Sequence, residues 1–259
     1  MSVLQGQIAI VTGGSSGIGR GIAVTMACHG ADVVVTDLNA DSAEAVAGEI
    51  RASGRRAQAL RHDVTSWDSC RDVVREVLAA LGRIDILVNN AGVSRSVPFH
   101  QLDEAEWDRV NNVNAKGVFL MCRAVVTPMM EQRSGRIVNI SSMVGKEAIP
   151  LFAHYCASKF AVIGLTQSLA KELASYNINV NAVCPGVLRT PLWEPLLDQL
   201  SATKGISRQA AFDEFVAGIP LGRPQTPEDI GEAVTFLASD RAKEITGVAL
   251  DVSGGQVTH

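Results

Sequence analysis

The sequence lacks any run of basic residues. Its 23 Lys and Arg are outnumbered by 27 Asp and Glu, for a formal net charge of −4. Nucleic-acid binding needs clustered Lys and Arg, so that class is excluded. Cysteines are few and unpaired in pattern. The five, Cys28, Cys70, Cys122, Cys156 and Cys184, are odd in number and form no CxxC pair. That argues against a disulfide framework or zinc site and for a reducing compartment. The histidines show no HxH or HxxxH spacing, so no metal is expected. No window reaches the roughly eighteen uncharged apolar residues of a membrane span. Residues 1–14 hold no basic segment and only a short apolar run, Ile8–Val11, unlike a signal peptide. Repeats, low-complexity stretches and linkers are absent too. The expectation is a cytoplasmic protein without nucleic-acid or membrane partners.

What is present is an apolar, regularly patterned chain. Of 259 residues 47% are hydrophobic and 19% charged, enough for a large core. Short Val- and Ile-rich runs occur at Ile8–Thr12, Asp32–Asp37, Ala57–Asp63, Ile84–Asn89, Arg136–Ser141, Ile178–Cys184 and Val248–Val252. They are apolar at consecutive positions, as in strands covered on both faces. Between them lie segments of helical periodicity, among them Gly17–His29, Asp41–Ser53, Asp68–Leu81, Glu104–Val126 and Tyr155–Ala174. Asp41 or Ser42 is a candidate cap for the second, and Gly82 a candidate stop for the third. Such alternation predicts an α/β fold: one doubly wound Rossmann domain over 1–259, with a parallel seven-stranded sheet and helices on both faces. Residues 188–220 break the pattern and read as an inserted lid, with a helix-like patch at Leu192–Leu200.

The first strand runs into Thr12-Gly13-Gly14-Ser15-Ser16-Gly17-Ile18-Gly19, followed at once by a helix. Glycines there permit a tight turn and close approach of backbone N–H groups to a pyrophosphate at the helix N-terminus. Asp37 ends the second strand, where a carboxylate can accept from a ribose diol and repel a 2′-phosphate. Ser16 and Leu38 beside it are uncharged, so the expected cofactor is NAD. Asp63 and Val64 are candidates for the adenine. Asn90, Ala91 and Gly92 follow the fourth strand, where small residues let the backbone run beside the cofactor.

Tyr155 and Lys159 are four apart, on one helix face. Moving a hydride between an alcohol and a nicotinamide needs a proton transfer at the oxygen. A tyrosine, with reference pKa about 10, is a poor base unless a nearby cation lowers that value. Ser141-Ser142 ends the preceding strand at the edge where such sheets bind ligands, and Asn114 lies on another helical segment.

Thr12–Gly19, Asp63-Val64, Asn89–Gly92, Asn114, Ser142, Tyr155–Lys159, Pro185-Gly186 and Thr190 resemble, in this order and spacing, the short-chain dehydrogenase/reductase family. The resemblance implies that Tyr155 is the acid/base and Lys159 its activator and ribose contact. It also implies that Ser142 holds the substrate oxygen and Asn114 a relay water. Pro185, Gly186, Val187 and Thr190 would hold the carboxamide, and the assembly would be a homotetramer. Thr190-Pro191-Leu192-Trp193-Glu194 is similar to the acetoin/2,3-butanediol and polyol dehydrogenase branch. Ser253 stands where the family usually has Asp, and the expected effect is on local structure or subunit contacts more than on chemistry.

The expected reaction is reversible hydride transfer between a secondary alcohol or polyol, or its ketone, and NAD. Ser94, Met143, Glu147, His154 and Trp193 are candidate substrate contacts beside Ser142 and Tyr155. Leu192, Leu196 and Phe215 are candidates for an apolar wall. A 3-oxoacyl thioester reductase is the first alternative; Asp37 and the net charge argue against its usual NADP and basic docking surface. A hydroxysteroid or bulky-alcohol dehydrogenase is another. A nucleotide-sensing scaffold would need no Tyr155.

Overall fold

The Val- and Ile-rich runs become strands that are mostly buried along their whole length. The computed structural model describes residues 2–258, apart from the Leu192 side chain. The strands are β1 (Ile8–Thr12), β2 (Asp32–Asp37), β3 (Ala57–Arg61), β4 (Ile86–Asn89), β5 (Gly135–Ile140), β6 (Ile178–Pro185) and β7 (Ala249–Val252). They form one parallel sheet in the order β3-β2-β1-β4-β5-β6-β7. The order reverses between β1 and β4, which opens a crevice at the carboxyl edge.

Consecutive apolar residues serve two different cores, because successive side chains of a strand point to opposite faces. Ala9, Val11, Val33 and Val35 pack against α1 (Gly17–Cys28), α2 (Ala40–Ala52) and α9 (Pro227–Ala238). Ile8, Ile10, Val34 and Leu87 pack against α3 (Trp67–Leu81), α5 (Gly117–Gln132) and α6 (Ala153–Leu173). The expected doubly wound α/β fold is therefore the fold observed.

Four local expectations change. Asn39, rather than Asp41 or Ser42, caps α2: its side chain accepts from Ser42 N at 3.1 Å. β4 begins at Ile86 because the Asp85 side chain turns back to accept from Ile8 N at 2.9 Å. The segment 104–126 is not one helix. It divides into α4 (Glu104–Asn111), a π turn over Asn112–Lys116, and α5. The lid holds two helices instead of one, α7 (Glu194–Lys204) and α8 (Arg208–Val216), entered through a 3-10 turn at Pro191–Trp193. As expected, Gly82 stops α3, with φ of 78°.

Candidate active site

The glycine turn and the chain after β4 are tied together before any ligand is considered. The buried Thr12 hydroxyl accepts from Asn90 N at 3.0 Å and Ala91 N at 3.1 Å. Asn90 Nδ2 donates back to the carbonyls of Thr12 and Gly13 at 3.0 and 2.9 Å. Gly19 is obligatory here, because a Cβ would lie 2.1 Å from the Gly13 carbonyl oxygen. Ser16 begins α1 without a side-chain capping bond, so the first-turn N–H groups stay available to an anion.

The resulting cleft, about 540 Å³, is lined by Gly13, Ser15, Ser16, Gly17, Ile18, Gly19, Asp37, Asp63, Val64, Asn90, Ala91, Gly92, Pro185, Gly186 and Thr190. Tyr155 and Lys159 close its far end. The expected cofactor residue absent from this lining is Val187. Its side chain is fully buried in the lid core, and its carbonyl accepts from Gln225 N at 3.0 Å. Asp37 is held in place by Ser15 N on one oxygen (3.3 Å) and Asn39 N on the other (3.1 Å). Among the described lining residues Lys159 is the only Lys or Arg. An elongated cleft with an anion-ready turn at one end and a strand-end carboxylate fits a nicotinamide dinucleotide.

Sequence reasoning missed His62, which lines this cleft. It is almost fully buried, with Nδ1 3.0 Å from Thr36 Oγ1 and Nε2 3.3 Å from Cys70 Sγ. Burial pushes its pKa down to about 4. Asp63 is committed locally instead: one oxygen accepts from Thr65 N (2.9 Å) and Thr65 Oγ1 (2.7 Å). The Thr65 hydroxyl bond chiefly holds its carboxyl below the usual range.

At the chemical end, α6 presents Tyr155 and Lys159 on one face. Lys159 Nζ donates to the Ile140 carbonyl at 2.8 Å and stands 5.6 Å from the Tyr155 ring centroid. Ser142 caps a short turn, Met143–Gly145, accepting from Val144 N at 3.3 Å, and hydrogen-bonds the Tyr155 hydroxyl. Ser141 instead turns inward and donates to the Lys159 carbonyl at 2.9 Å, so Ser142 is the serine at the site. Phe152 meets the Tyr155 ring edge-on at 6.3 Å between centroids.

The expected lowering of the tyrosine pKa is not what this arrangement gives. Burial pushes Tyr155 up to about 12, against a smaller pull from Ser142. Burial also pushes Lys159 down to about 8. Removing the charged form of each group from water is the largest cause of its shift. The phenol is therefore a neutral proton donor here, the form required to protonate a carbonyl being reduced.

Asn114 is fully buried on the π turn. Its Oδ1 accepts from Val93 N at 2.8 Å, and its Nδ2 donates to Val93 O (2.9 Å) and Ser158 Oγ (3.1 Å). Both ends of the side chain fasten the strand-β4 loop to α6, so its amide is spoken for. The π turn was not legible as such, although π turns favour functional sites.

A second cavity, about 410 Å³, opens off the first at Ser142, Tyr155, Gly186 and Trp193. Its walls are largely apolar: Met143, Val144, Ile149, Phe152, Leu196 and Phe215. Trp193 packs edge-on against Phe212 and Phe215, with centroids 5.8 and 4.9 Å apart. Ser94 lines it as expected, and Ser96, which the sequence did not single out, does too. Both hydroxyl oxygens are buried without a hydrogen-bond partner among the described residues. The loop carrying them is joined to the opposite wall by Val97 N donating to Leu151 O at 2.9 Å. Such loop-to-loop packing leaves no periodic mark in the sequence.

Two expected substrate contacts fail. His154 precedes Tyr155 on α6 and therefore faces elsewhere. It is fully buried, with Nε2 3.6 Å from Glu106 Oε1 on α4, and lines neither cavity. Glu147 is exposed and outside both. The Leu192 side chain lies outside the described residues. The buried Ser253 hydroxyl accepts from Val257 N at 3.3 Å and closes the turn after β7.

Comparison with known proteins agrees with this geometry. A family model described as short chain dehydrogenase matches residues 7–201. The 3-oxoacyl-acyl-carrier-protein reductase FabG of Thermotoga maritima is 40% identical over 254 residues, covering 98% of this chain and 99% of that protein. Its namesake from Staphylococcus epidermidis is 42% identical over 248 residues, 95% and 97% of the two chains. A Sinorhizobium meliloti crystal structure, provisionally described as a short-chain alcohol dehydrogenase, superposes with a TM-score of 0.90 at 38% identity, covering 98% and 97%. The narrower likeness to acetoin and polyol dehydrogenases is thereby corrected, because the two curated relatives carry the reductase name and Thr190–Glu194 is too short a stretch to outweigh them. This chain belongs to the short-chain dehydrogenase family and is an oxidoreductase that binds a nicotinamide cofactor.

Proposed function

We propose that the chain interconverts a 3-oxoacyl thioester and its 3-hydroxy form, with NAD(H) as cofactor. The observation that carries the substrate class is the apolar cavity beside Tyr155 and Ser142. An acyl chain gains by burial there. A polyol would leave the apolar faces of Met143, Val144, Ile149, Phe152, Leu196 and Phe215 without matching groups. The reductase name of the relatives supports the same reading. NAD rests on Asp37 and on a cleft whose only described lining Lys or Arg is Lys159. A 2′-phosphate there would meet a carboxylate and no paired cation.

The cofactor, when bound, supplies or accepts the hydride. Ser142 holds the carbonyl oxygen, and the Tyr155 hydroxyl gives it a proton. Lys159 would hold the nicotinamide ribose and set a positive field beside the phenol. Asn114 keeps the β4 loop against α6. The lid, 188–220, closes the acyl cavity through Trp193. A homotetramer would cover exposed Trp107 on α4, Phe119 on α5 and Phe160 on α6; light scattering reads that mass directly.

The deciding test compares NADH and NADPH oxidation with acetoacetyl thioester, then with diacetyl, and NAD reduction with secondary alcohols and polyols. The thioester with NADH should give the highest kcat/KM. Tenfold faster turnover of diacetyl or a polyol would overturn the substrate reading, and an NADPH preference would overturn the cofactor reading.

A further inference from the structure

Ser142 stands on a three-residue turn, and the sheet alone does not hold that turn down. The turn closes on itself, Gly145 N donating to Ser142 O at 2.9 Å and Lys146 N to Met143 O at 3.0 Å. Its floor is the backbone of α6. A Cβ on Gly145 would lie 2.5 Å from Ser141 Oγ and 2.9 Å from the Lys159 carbonyl oxygen. Any tilt of the turn therefore moves Ser142 relative to Tyr155 and Lys159.

Directly after the turn, Lys146 Nζ donates to Asp251 Oδ2 at 2.6 Å. Asp251 lies on β7, in register with Cys184 of β6. The two side chains are only 12% and 17% exposed, so the bond escapes much of the screening that weakens surface pairs. The Cys184 thiol sits between this pair and the two serines, bonded to the Ser141 side chain and the Ser142 backbone. Neither Lys146 nor Asp251 lines the cofactor cleft or the acyl cavity. Ligand binding does not explain a mostly buried ion pair at this point.

We propose that Lys146 and Asp251 are a positioning pair, pinning the turn after Ser142 to β7 and thereby holding the Ser142 hydroxyl in register with Tyr155. The pair spans from the end of β5 across β6 to the edge strand, so it works as a tie rather than as a local cap. Proton delivery depends on alignment within a fraction of an ångström, and a misplacement of about 1 Å can cost 10²-fold. The glycine turn after β1 is remote from this tie, and Gly186 of the cleft is held by its own bond to the Val252 carbonyl at 3.1 Å, so dinucleotide affinity should change little. This inference rests on the oxidoreductase part of the proposed function and not on its substrate class.

The test uses Lys146→Met, Asp251→Asn, their double variant, and the swap Lys146→Asp with Asp251→Lys. On whichever carbonyl the unmodified protein reduces, each single change should lower kcat about tenfold, with the NADH Kd unchanged within twofold. The double variant should be no worse than either single one, and the swap should recover at least about a third of kcat. Unchanged kcat, additive losses, or parallel loss of NADH affinity would each overturn the proposal. Hydrogen exchange provides an arm without turnover. Amides of 143–147 should exchange about tenfold faster in Lys146→Met while those of 136–140 keep their protection. If no carbonyl is reduced by the unmodified protein, the functional reading fails, and unchanged exchange at 143–147 would sink the positioning pair separately.

Discussion

The cofactor cleft and the lid that faces it are built on different principles. The cleft is made of strand ends and the turns between them, all seated on cores that span the whole sheet. Its key contacts are backbone to side chain, as where Asn90 and Thr12 lock β4 to the glycine turn. The lid instead carries its own small cluster, Val187, Leu197, Ala211, Phe212 and Ile219, separate from the two main cores. A separate small core can be altered without unfolding the sheet, so the two regions should respond independently to substitution.

The sharpest break of this comparison is Tyr155→Phe. It removes only the hydroxyl that Ser142 holds, so kcat should fall by about 10²- to 10⁴-fold. NADH fluorescence titration should show nearly unchanged affinity, because the cleft does not depend on that oxygen. Substantial residual turnover would refute the acid role.

Next in size is the paired change Asp37→Ser with Leu38→Arg. The carboxylate is lost and a guanidinium is placed beside the ribose, so the NADH-to-NADPH ratio of kcat/KM should shift roughly 100-fold toward NADPH, on the order of 3 kcal/mol. An unmoved ratio would place the ribose elsewhere. Phe212→Ala tests the lid. The cavity it leaves costs about 3–5 kcal/mol locally. KM for the carbonyl should rise about tenfold, with the NADH Kd unchanged and faster proteolysis within 187–219. Equal weakening of NADH binding would show that the two regions are not separable.

The smallest effect at neutral pH is that of His62. Its folded pKa, about 4, lies below the ordinary 6.5. Between those values the unfolded chain binds more protons than the folded one, so stability rises with pH through this window. The contribution is complete above about pH 6.5 and is lost as pH falls toward 4, on the order of 3 kcal/mol in all. Thermal melts from pH 7 to 4 should flatten in His62→Gln; an unchanged slope would assign the acid sensitivity to other groups.

Much of the cleft was legible in the sequence because it is made of local signals. Glycines at a strand–helix turn, an acidic strand end and a Tyr/Lys pair one helical turn apart each have a short-range physical reason. The lid was not legible in the same way. Leu196 and Phe215 were readable as apolar, but nothing in their spacing said that they face one cavity while Phe212 faces a core. His154 shows the same limit from the other side. It neighbours Tyr155 in the chain, yet helix geometry turns it onto Glu106.

The sequence by itself determined the sheet, the glycine turn and the candidate residues Ser142, Tyr155 and Lys159, since periodicity and turn chemistry act over a few residues. Tertiary structure alone decided the rest. It assigned Asn114 and Asn90 to fastening loops, joined the Ser94–Ser96 loop to Leu151, and raised the Tyr155 pKa through burial. It also brought Lys146 to Asp251, 105 residues away. Those outcomes depend on which distant surfaces meet and how much water they exclude, and no local pattern encodes either.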